Sequence, residues 1–395
     1  TKIDEVVLEI PIIDISQYDQ GSESIHNLCQ RWDSSMQQFG VCVIIGHQVP
    51  PELFESMLNE SKKFFYGSMD EKLEFNHGKY GHPAGGYTPP GSENVSLSVS
   101  STEKDIPTTT KSNSDPLESF VFTYPPEFFC APNGSTSPLP SASEYFKQMC
   151  RILKKLHCIS CLSLGLDDAH YMDSFYEDPQ LYSKECSVDR DKITPGALRI
   201  THYLAKETEM NEKQIDFKAS EPLQQLYGAH TDYLGFTILK PDKRDWQKVV
   251  GKDGQCVAFG GLEVFVRDSS PAGGRWAAVR LPTEGYPLVI NAGDLIQRWT
   301  NDRWHSPLHR VVGHSYSSHE ASKAHNDSNS HKKADDDNDD DDVSSRWTLV
   351  FFSGPLADKV VEVLQVPAVV GGDQEVKYPP VRSGDYLAMK LNRTN

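Results

Sequence analysis

From Ala197 onward the chain breaks into short runs of β-branched and aromatic residues, each cut off by Gly, Pro or Asp. They read "ALRITHYLA", "FTILKP", "GLEVFVRD", "RWAAVRLP", "PLVINAGD", "SPLHRVV" and "RWTLVFFSG". Several short strands at such close spacing pack as a β-sandwich or barrel. Before residue 165 the texture differs. Apolar residues recur at helical spacing over about Ser22 to Gln38, over 50–68, which opens on prolines suited to a first helical turn, and over 142–165. Two stretches, "IPIIDIS" and "GVCVII" (40–45), have strand length instead. The expected fold is mainly β with a helical extension: an α-rich N-terminal region over 1–165 and a β domain over 190–395. Residues 88–117, rich in Ser, Thr, Pro and Asn, read as a long irregular loop.

One segment inside the β domain breaks its texture. Residues 314–345 carry four histidines and eight aspartates and almost nothing apolar. Such a composition cannot bury enough surface to order itself, so it is expected to be a disordered acidic insertion. It lacks the spaced ligands and glycine of a calcium loop.

Net charge is -17, which argues against binding a nucleic-acid backbone. No run of eighteen apolar residues offers a membrane span. The opening "TKIDEVVLEIPIIDIS" lacks the apolar core of a signal peptide. The eight cysteines are scattered rather than clustered into a disulfide framework. Cys158 and Cys161 form a C-x-x-C, but no second pair completes a zinc site, and the surrounding helical spacing makes both reduced helix residues. The expectation is a cytoplasmic monomer that acts on a small molecule.

"GAHTDYLG" (228–235) sets His230 and Asp232 two positions apart, and in an extended chain residues i and i+2 face the same way. A third partner lies downstream in "WTNDRWHSPLHRVVG": His309, which precedes strand-like residues, with His305 in the turn before it. Two histidines and one carboxylate on neighbouring strands suit a non-haem iron(II) site with open positions. Zinc accepts the same set, so the ligands alone do not choose the metal. A barrel-core histidine bonded to a carbonyl is the plainer reading of His309.

Arg346 and Thr348 share a face of "SRWTLVFF". A guanidinium inside a small barrel is costly unless it meets an anion. A dicarboxylate would supply one, held by a forked contact from Arg346 and by the Thr348 hydroxyl. An Arg–Asp pair at the barrel rim is the competing explanation.

With these residues in place, the sequence resembles the isopenicillin N synthase-like family of iron(II)- and 2-oxoglutarate-dependent oxygenases. The likeness runs through "IPIIDIS", "FGVCVIIGHQVPPELFESMLNESKKFFYGSMDEKLEF", "GYTPPGSE" (86–93), "LRITHYLA", "HTDYLGFTIL", "GGLEVF", "VINAGDLIQRWTNDRWHSPLHRVV" and "YPPVRSGDYLAMKLN". It implies a double-stranded β-helix (jelly roll) behind a helical extension. It also implies iron ligands at His230, Asp232 and His309, and 2-oxoglutarate contacts at Arg346, Thr348 and Tyr203, with Thr201 where relatives often carry asparagine. Thr348 stands in place of the usual serine and keeps the hydroxyl. The gap from His309 to Arg346 exceeds the family's usual spacing, so the extra residues are expected to loop out between two paired strands.

The reaction implied consumes 2-oxoglutarate and dioxygen, releases succinate and carbon dioxide, and oxidises an unactivated C–H bond. Hydroxylation is the default; desaturation or ring closure follows if the substrate radical escapes rebound. Substrate-lining candidates are Tyr87, Arg199, Tyr233, Phe236, Phe265 and Phe352. An iron oxidase of the same fold that needs no 2-oxoglutarate, and a non-catalytic iron-binding sensor, remain open on sequence alone. Replacing 315–344 by a short Gly-Ser connection is expected to leave iron content, 2-oxoglutarate affinity and thermal stability near the parent values, because closure entropy grows only logarithmically with loop length. A large fall in turnover would show that the insertion gates the site.

Overall fold

The computed structural model describes residues 10–76, 85–92, 115–176, 196–204, 224–313 and 345–391. Short gaps fall at 124, 127–128, 130–135, 244, 246–247, 251–255, 259, 268–272, 283–284 and 372–374. Most of the 88–117 loop, and the acidic insertion up to residue 344, lie outside the described residues.

In chain order the N-terminal elements are β1 (Ile12–Asp14), α1 (Ser22–Gln38), β2 (Val41–Ile45), α2 (Pro51–Phe65), α3 (Met69–Leu73), β3 (Gly86–Thr88), β4 (Leu117–Phe122) and α4 (Ala142–Ser163). Then come β5 (Ala197–Tyr203), β6 (Gln224–His230), β7 (Phe236–Lys240), β8 (Lys248–Val250), β9 (Cys256–Ala258), β10 (Gly261–Arg267), β11 (Gly274–Ala278), β12 (Leu288–Ala292), α5 (Asp294–Trp299), β13 (His309–Gly313) and β14 (Arg346–Phe352).

Local chemistry accounts for the helix boundaries. α2 starts on Pro51, whose missing N–H costs nothing at a first helical position, and carries Glu52 in its first turn and Lys62 and Lys63 in its last, each complementing the helix dipole. α3 is closed at its start by a reciprocal capping box between Ser68 and Glu71. α1 buries Leu28, Trp32, Ser35 and Met36, one face at helical spacing. That face meets α4, where the Trp32 indole donates to Ser160 Oγ at 3.1 Å.

Two sheets form the jelly roll. The larger has eight strands in the order β1-β2-β12-β7-β14-β5-β4-β3; the smaller runs β11-β10-β13-β6. The N-terminal region is thus more than a helical layer, since β1 to β4 complete the large sheet at both ends. Apolar residues on its outer face, such as Ile200, Phe236, Ile238, Ile290 and Phe351, join the helices in one core. Its inner face contributes Tyr203, Leu239 and Val289 to a second core shared with Leu226, Val264 and Val311 of the small sheet. The site sits between the sheets, in that second layer.

One expectation is corrected here. β13 pairs with β10 and β6, whereas β14 pairs with β5 and β7. The insertion therefore joins strands of opposite sheets and does not cap a hairpin. Proximity along the chain had suggested pairing; jelly-roll topology separates the two strands.

Candidate metal and cosubstrate site

β6 and β13 are antiparallel, and their register sets His230 opposite His309. The two rings lie 4.2 Å apart between centroids. Asp232 Oδ1 is 3.9 Å from His230 Nε2 and 3.8 Å from His309 Nε2. All three residues are buried and can offer ligand atoms to one ion. His305, the alternative, is an exposed residue of the preceding turn.

The geometry fits a metal ion on three counts. His230 Nδ1 faces the Gly228 carbonyl oxygen at 2.8 Å and His309 Nδ1 faces that of Pro307 at 3.0 Å. Each Nδ1 is thereby fixed as the donor, which leaves each Nε2 with its lone pair turned to Asp232. Burial, and His309 alongside, hold His230 well below the ordinary histidine range, so it is neutral and ready to ligate. Asp232 Oδ2 is buried without a hydrogen-bond partner, an arrangement that costs free energy unless a cation satisfies it.

Asp232 is not on the strand. β6 ends at His230, and Asp232 belongs to the turn beyond it. Alternation along a strand is therefore not what aims it. The turn is fastened instead by backbone bonds: Asp294 N–H to the Asp232 carbonyl at 2.9 Å, Gly293 N–H to that of Gly235 at 2.8 Å, and Gly235 N–H to that of Ser353 at 2.7 Å. Gly293 permits this approach. A Cβ there would lie 2.6 Å from the Gly235 oxygen and 2.7 Å from that of Leu234. Gly293→Ala is accordingly expected to push the turn outward, lowering stability by about 1–3 kcal/mol and lowering turnover with it. Thermal unfolding and kcat check this; an unchanged kcat would mean that Asp232 is held by other contacts.

The inner face of β14 carries Arg346 and Thr348, opposite Tyr203 and Thr201 of β5. The Arg346 guanidinium stacks over the Tyr203 ring at 4.8 Å. Its Nε and Nη2 grip Asp245 at 2.8 and 2.5 Å. The fork that sequence reading directed at a cosubstrate is thus occupied by a carboxylate of the chain itself. No sequence signal near Asp245 announced this, because the partner lies about a hundred residues away. The pairing does not exhaust the site: Arg346 Nη1 and Thr348 Oγ1 are both buried without hydrogen-bond partners, as is Asn291 Oδ1 on the inner face of β12.

Tyr227, which sequence analysis passed over, links the two halves. Its ring meets His230 edge-on at 4.9 Å and stands 6.5 Å from Tyr203. The Arg199 guanidinium lies 5.5 Å from the same ring and donates to the Tyr227 hydroxyl at 3.3 Å and to Thr201 Oγ1 at 3.2 Å. Arg199 therefore belongs to the interior, close enough to depress the His230 pKa after burial and His309.

Three substrate candidates point elsewhere. Phe236 packs against Trp32 and Trp304 on the helical side of the large sheet. Tyr87 is on that side too, its ring against Phe64 and its hydroxyl donating to Glu118 at 2.5 Å. Phe265 lies outside the small sheet against Trp276, 5.3 Å away, since its neighbour Val264 takes the inner position opposite His309. Phe352 does share the inner face with Arg346 and Thr348. Tyr233, in the turn after Asp232, rests by Lys390 of the C-terminal helix (Ser383–Leu391) at 5.7 Å.

Comparison with known proteins identifies the family. Residues 10–128 match the family described as non-haem dioxygenase in morphine synthesis N-terminal, and 200–355 match the 2OG-Fe(II) oxygenase superfamily. The 2-oxoglutarate-Fe(II) type oxidoreductase ppzC of Metarhizium majus is 26% identical, over 98% of this chain and 88% of that protein. The 2-oxoglutarate-Fe(II) type oxidoreductase hxnY of Emericella nidulans is 22% identical, over 95% of this chain and 88% of its own. A full-length Neurospora crassa protein, solved in complex with alpha-KG and thymine, has a TM-score of 0.63 at 24% identity, covering 100% of this chain and 99% of that one. Fold and site thus define a jelly-roll dioxygenase with iron(II) and 2-oxoglutarate as its cofactor and cosubstrate. The chain belongs to the 2-oxoglutarate- and iron(II)-dependent oxygenases. Among the described residues no helix is long and apolar enough to cross a membrane.

Proposed function

We propose that this enzyme oxidises an unactivated C–H bond of a small metabolite bearing an anionic or hydrogen-bond-accepting group, with hydroxylation the default outcome and succinate and carbon dioxide released. His230, Asp232 and His309 hold the iron. Iron(II) bound there supplies the coupled oxidation of 2-oxoglutarate and substrate by dioxygen. Arg346 Nη1 and Thr348 Oγ1 receive the distal carboxylate of 2-oxoglutarate, above the Tyr203 ring. The observation that carries this reading is their shared lack of a partner at buried positions on one strand face. Two such polar atoms on one strand face are costly unless a ligand satisfies them. Arg199, braced by Tyr227 and Thr201 near His230, orients the substrate through its acceptor group. The apolar inner core around it, including Leu226, Val264 and Val311, keeps water from the reacting carbon.

The test is anaerobic titration of the protein with iron(II) and then 2-oxoglutarate, followed by a screen for substrate-dependent succinate release. The expected result is a weak visible charge-transfer band that needs both additions. Thymine, the ligand named with the Neurospora crassa structure, and small carboxylates are rational first substrates. Arg199→Gln is expected to raise KM for the true substrate and leave KM for 2-oxoglutarate unchanged. The reverse pattern would place Arg199 at the cosubstrate and overturn its assignment.

A further inference from the structure

Outside the barrel, a second group of metal-ligating side chains converges around one cysteine of the C-x-x-C. Cys158 is buried on α4; His170 and Asp173 come from the turn and the 3-10 helix (Met172–Phe175) that follow. Their ligand atoms all lie within 4.8 Å of one another. Cys158 Sγ is 3.5 Å from His170 Nδ1, which is 3.4 Å from Asp173 Oδ2.

We propose that Cys158, His170 and Asp173 form a second metal site, for zinc or another thiophilic divalent cation, that fastens this turn to α4. The spacing carries the argument. With Zn–S near ~2.3 Å and Zn–N and Zn–O near ~2.0–2.1 Å, tetrahedral angles place sulfur and nitrogen about 3.5 Å apart and nitrogen and oxygen about 3.3 Å apart. The observed pair distances match both edges. A direct imidazolium–carboxylate hydrogen bond would instead close to about 2.7–2.9 Å.

The surroundings are those of a built site. Asp173 Oδ1 faces His157 Nδ1 at 2.7 Å, and His157 is 1% exposed, so the carboxylate is held with Oδ2 turned to His170. The His170 backbone N–H donates to Asp168 Oδ1 at 2.8 Å, fixing the turn that presents the ring. The His170 side chain is 73% exposed, which gives an ion an entry path and a water for its fourth position. Cys161, the other half of the C-x-x-C, is fully buried and contributes no ligand atom to the group. Ion binding takes Cys158 as thiolate and releases its proton to solvent.

Cobalt(II) added to the protein tests this, because the barrel site offers only nitrogen and oxygen ligands. The expected result is a sulfur-to-cobalt charge-transfer band in the near ultraviolet. It should persist in His309→Ala, be displaced by zinc(II), and disappear in Cys158→Ala. His170→Ala, an exposed substitution that leaves folding intact, is expected to weaken cobalt binding at this site at least tenfold. Absence of the band in the parent protein, or its undiminished survival in His170→Ala, would overturn the proposal.

Discussion

Alanine in place of His309 is expected to abolish iron binding and turnover together while the barrel stays folded. The ring offers one of the three ligand atoms that can meet at a single ion, and its partner His230 faces it across the β6–β13 register. An ion left with a single histidine and Asp232 loses the face that defines a three-ligand non-haem site. The strand itself does not depend on the side chain, since its ladder to β10 and β6 is made by backbone groups. His305→Ala provides the contrast, keeping iron and most activity, because His305 is exposed in the turn. Metal analysis, succinate release and far-ultraviolet circular dichroism on both variants decide the matter. Iron lost from His305→Ala and kept in His309→Ala would refute the ligand assignment.

Arg346→Ala is expected to do two separable things. It strips Asp245 of its charged partner at a site where the Asp245 side chain is only 2% exposed. Breaking one side of such a buried pair costs about 3–5 kcal/mol, a large share of the roughly 5–15 kcal/mol that holds a domain folded. It also removes the Nη1 donor offered to 2-oxoglutarate, worth about 1.5–3 kcal/mol, or roughly a tenfold to hundredfold rise in KM. The double variant Arg346→Met with Asp245→Leu separates the two, because an apolar pair replaces the buried ions without leaving either charge alone. Its melting temperature should return close to the parent value while KM for 2-oxoglutarate stays high. Arg346→Lys should recover part of each effect, having one charge and no planar fork. If the double variant binds 2-oxoglutarate as the parent does, Arg346 is a structural ion-pair residue only.

The structure joins the two explanations that sequence reading had set against each other for Arg346. The rim ion pair exists, through Nε and Nη2, and a donor is still left over beside Thr348. Asp245 could not be foreseen, because nothing in its own segment distinguishes it from any other aspartate in a polar turn.

By itself, the sequence determined the succession of short strands, the helical spans before residue 165, and the residues that share a strand face. Arg346 with Thr348 is the clearest case, since alternation is a property of the extended backbone and needs no neighbour. It also determined which histidine begins a strand and which sits in a turn. Only the tertiary structure decided which face of each strand looks inward. The large sheet is covered on both sides, so Phe236, Thr237, Ile238 and Leu239 are all buried in succession, and burial gives no polarity pattern to distinguish the two faces. Phe236 and Tyr87 were therefore drawn to the site by residue type, while folding turned them toward the helices. Long-range register did the rest: it set His230 against His309, sent β13 and β14 into opposite sheets, and fastened Asp232 through a turn that no strand periodicity describes.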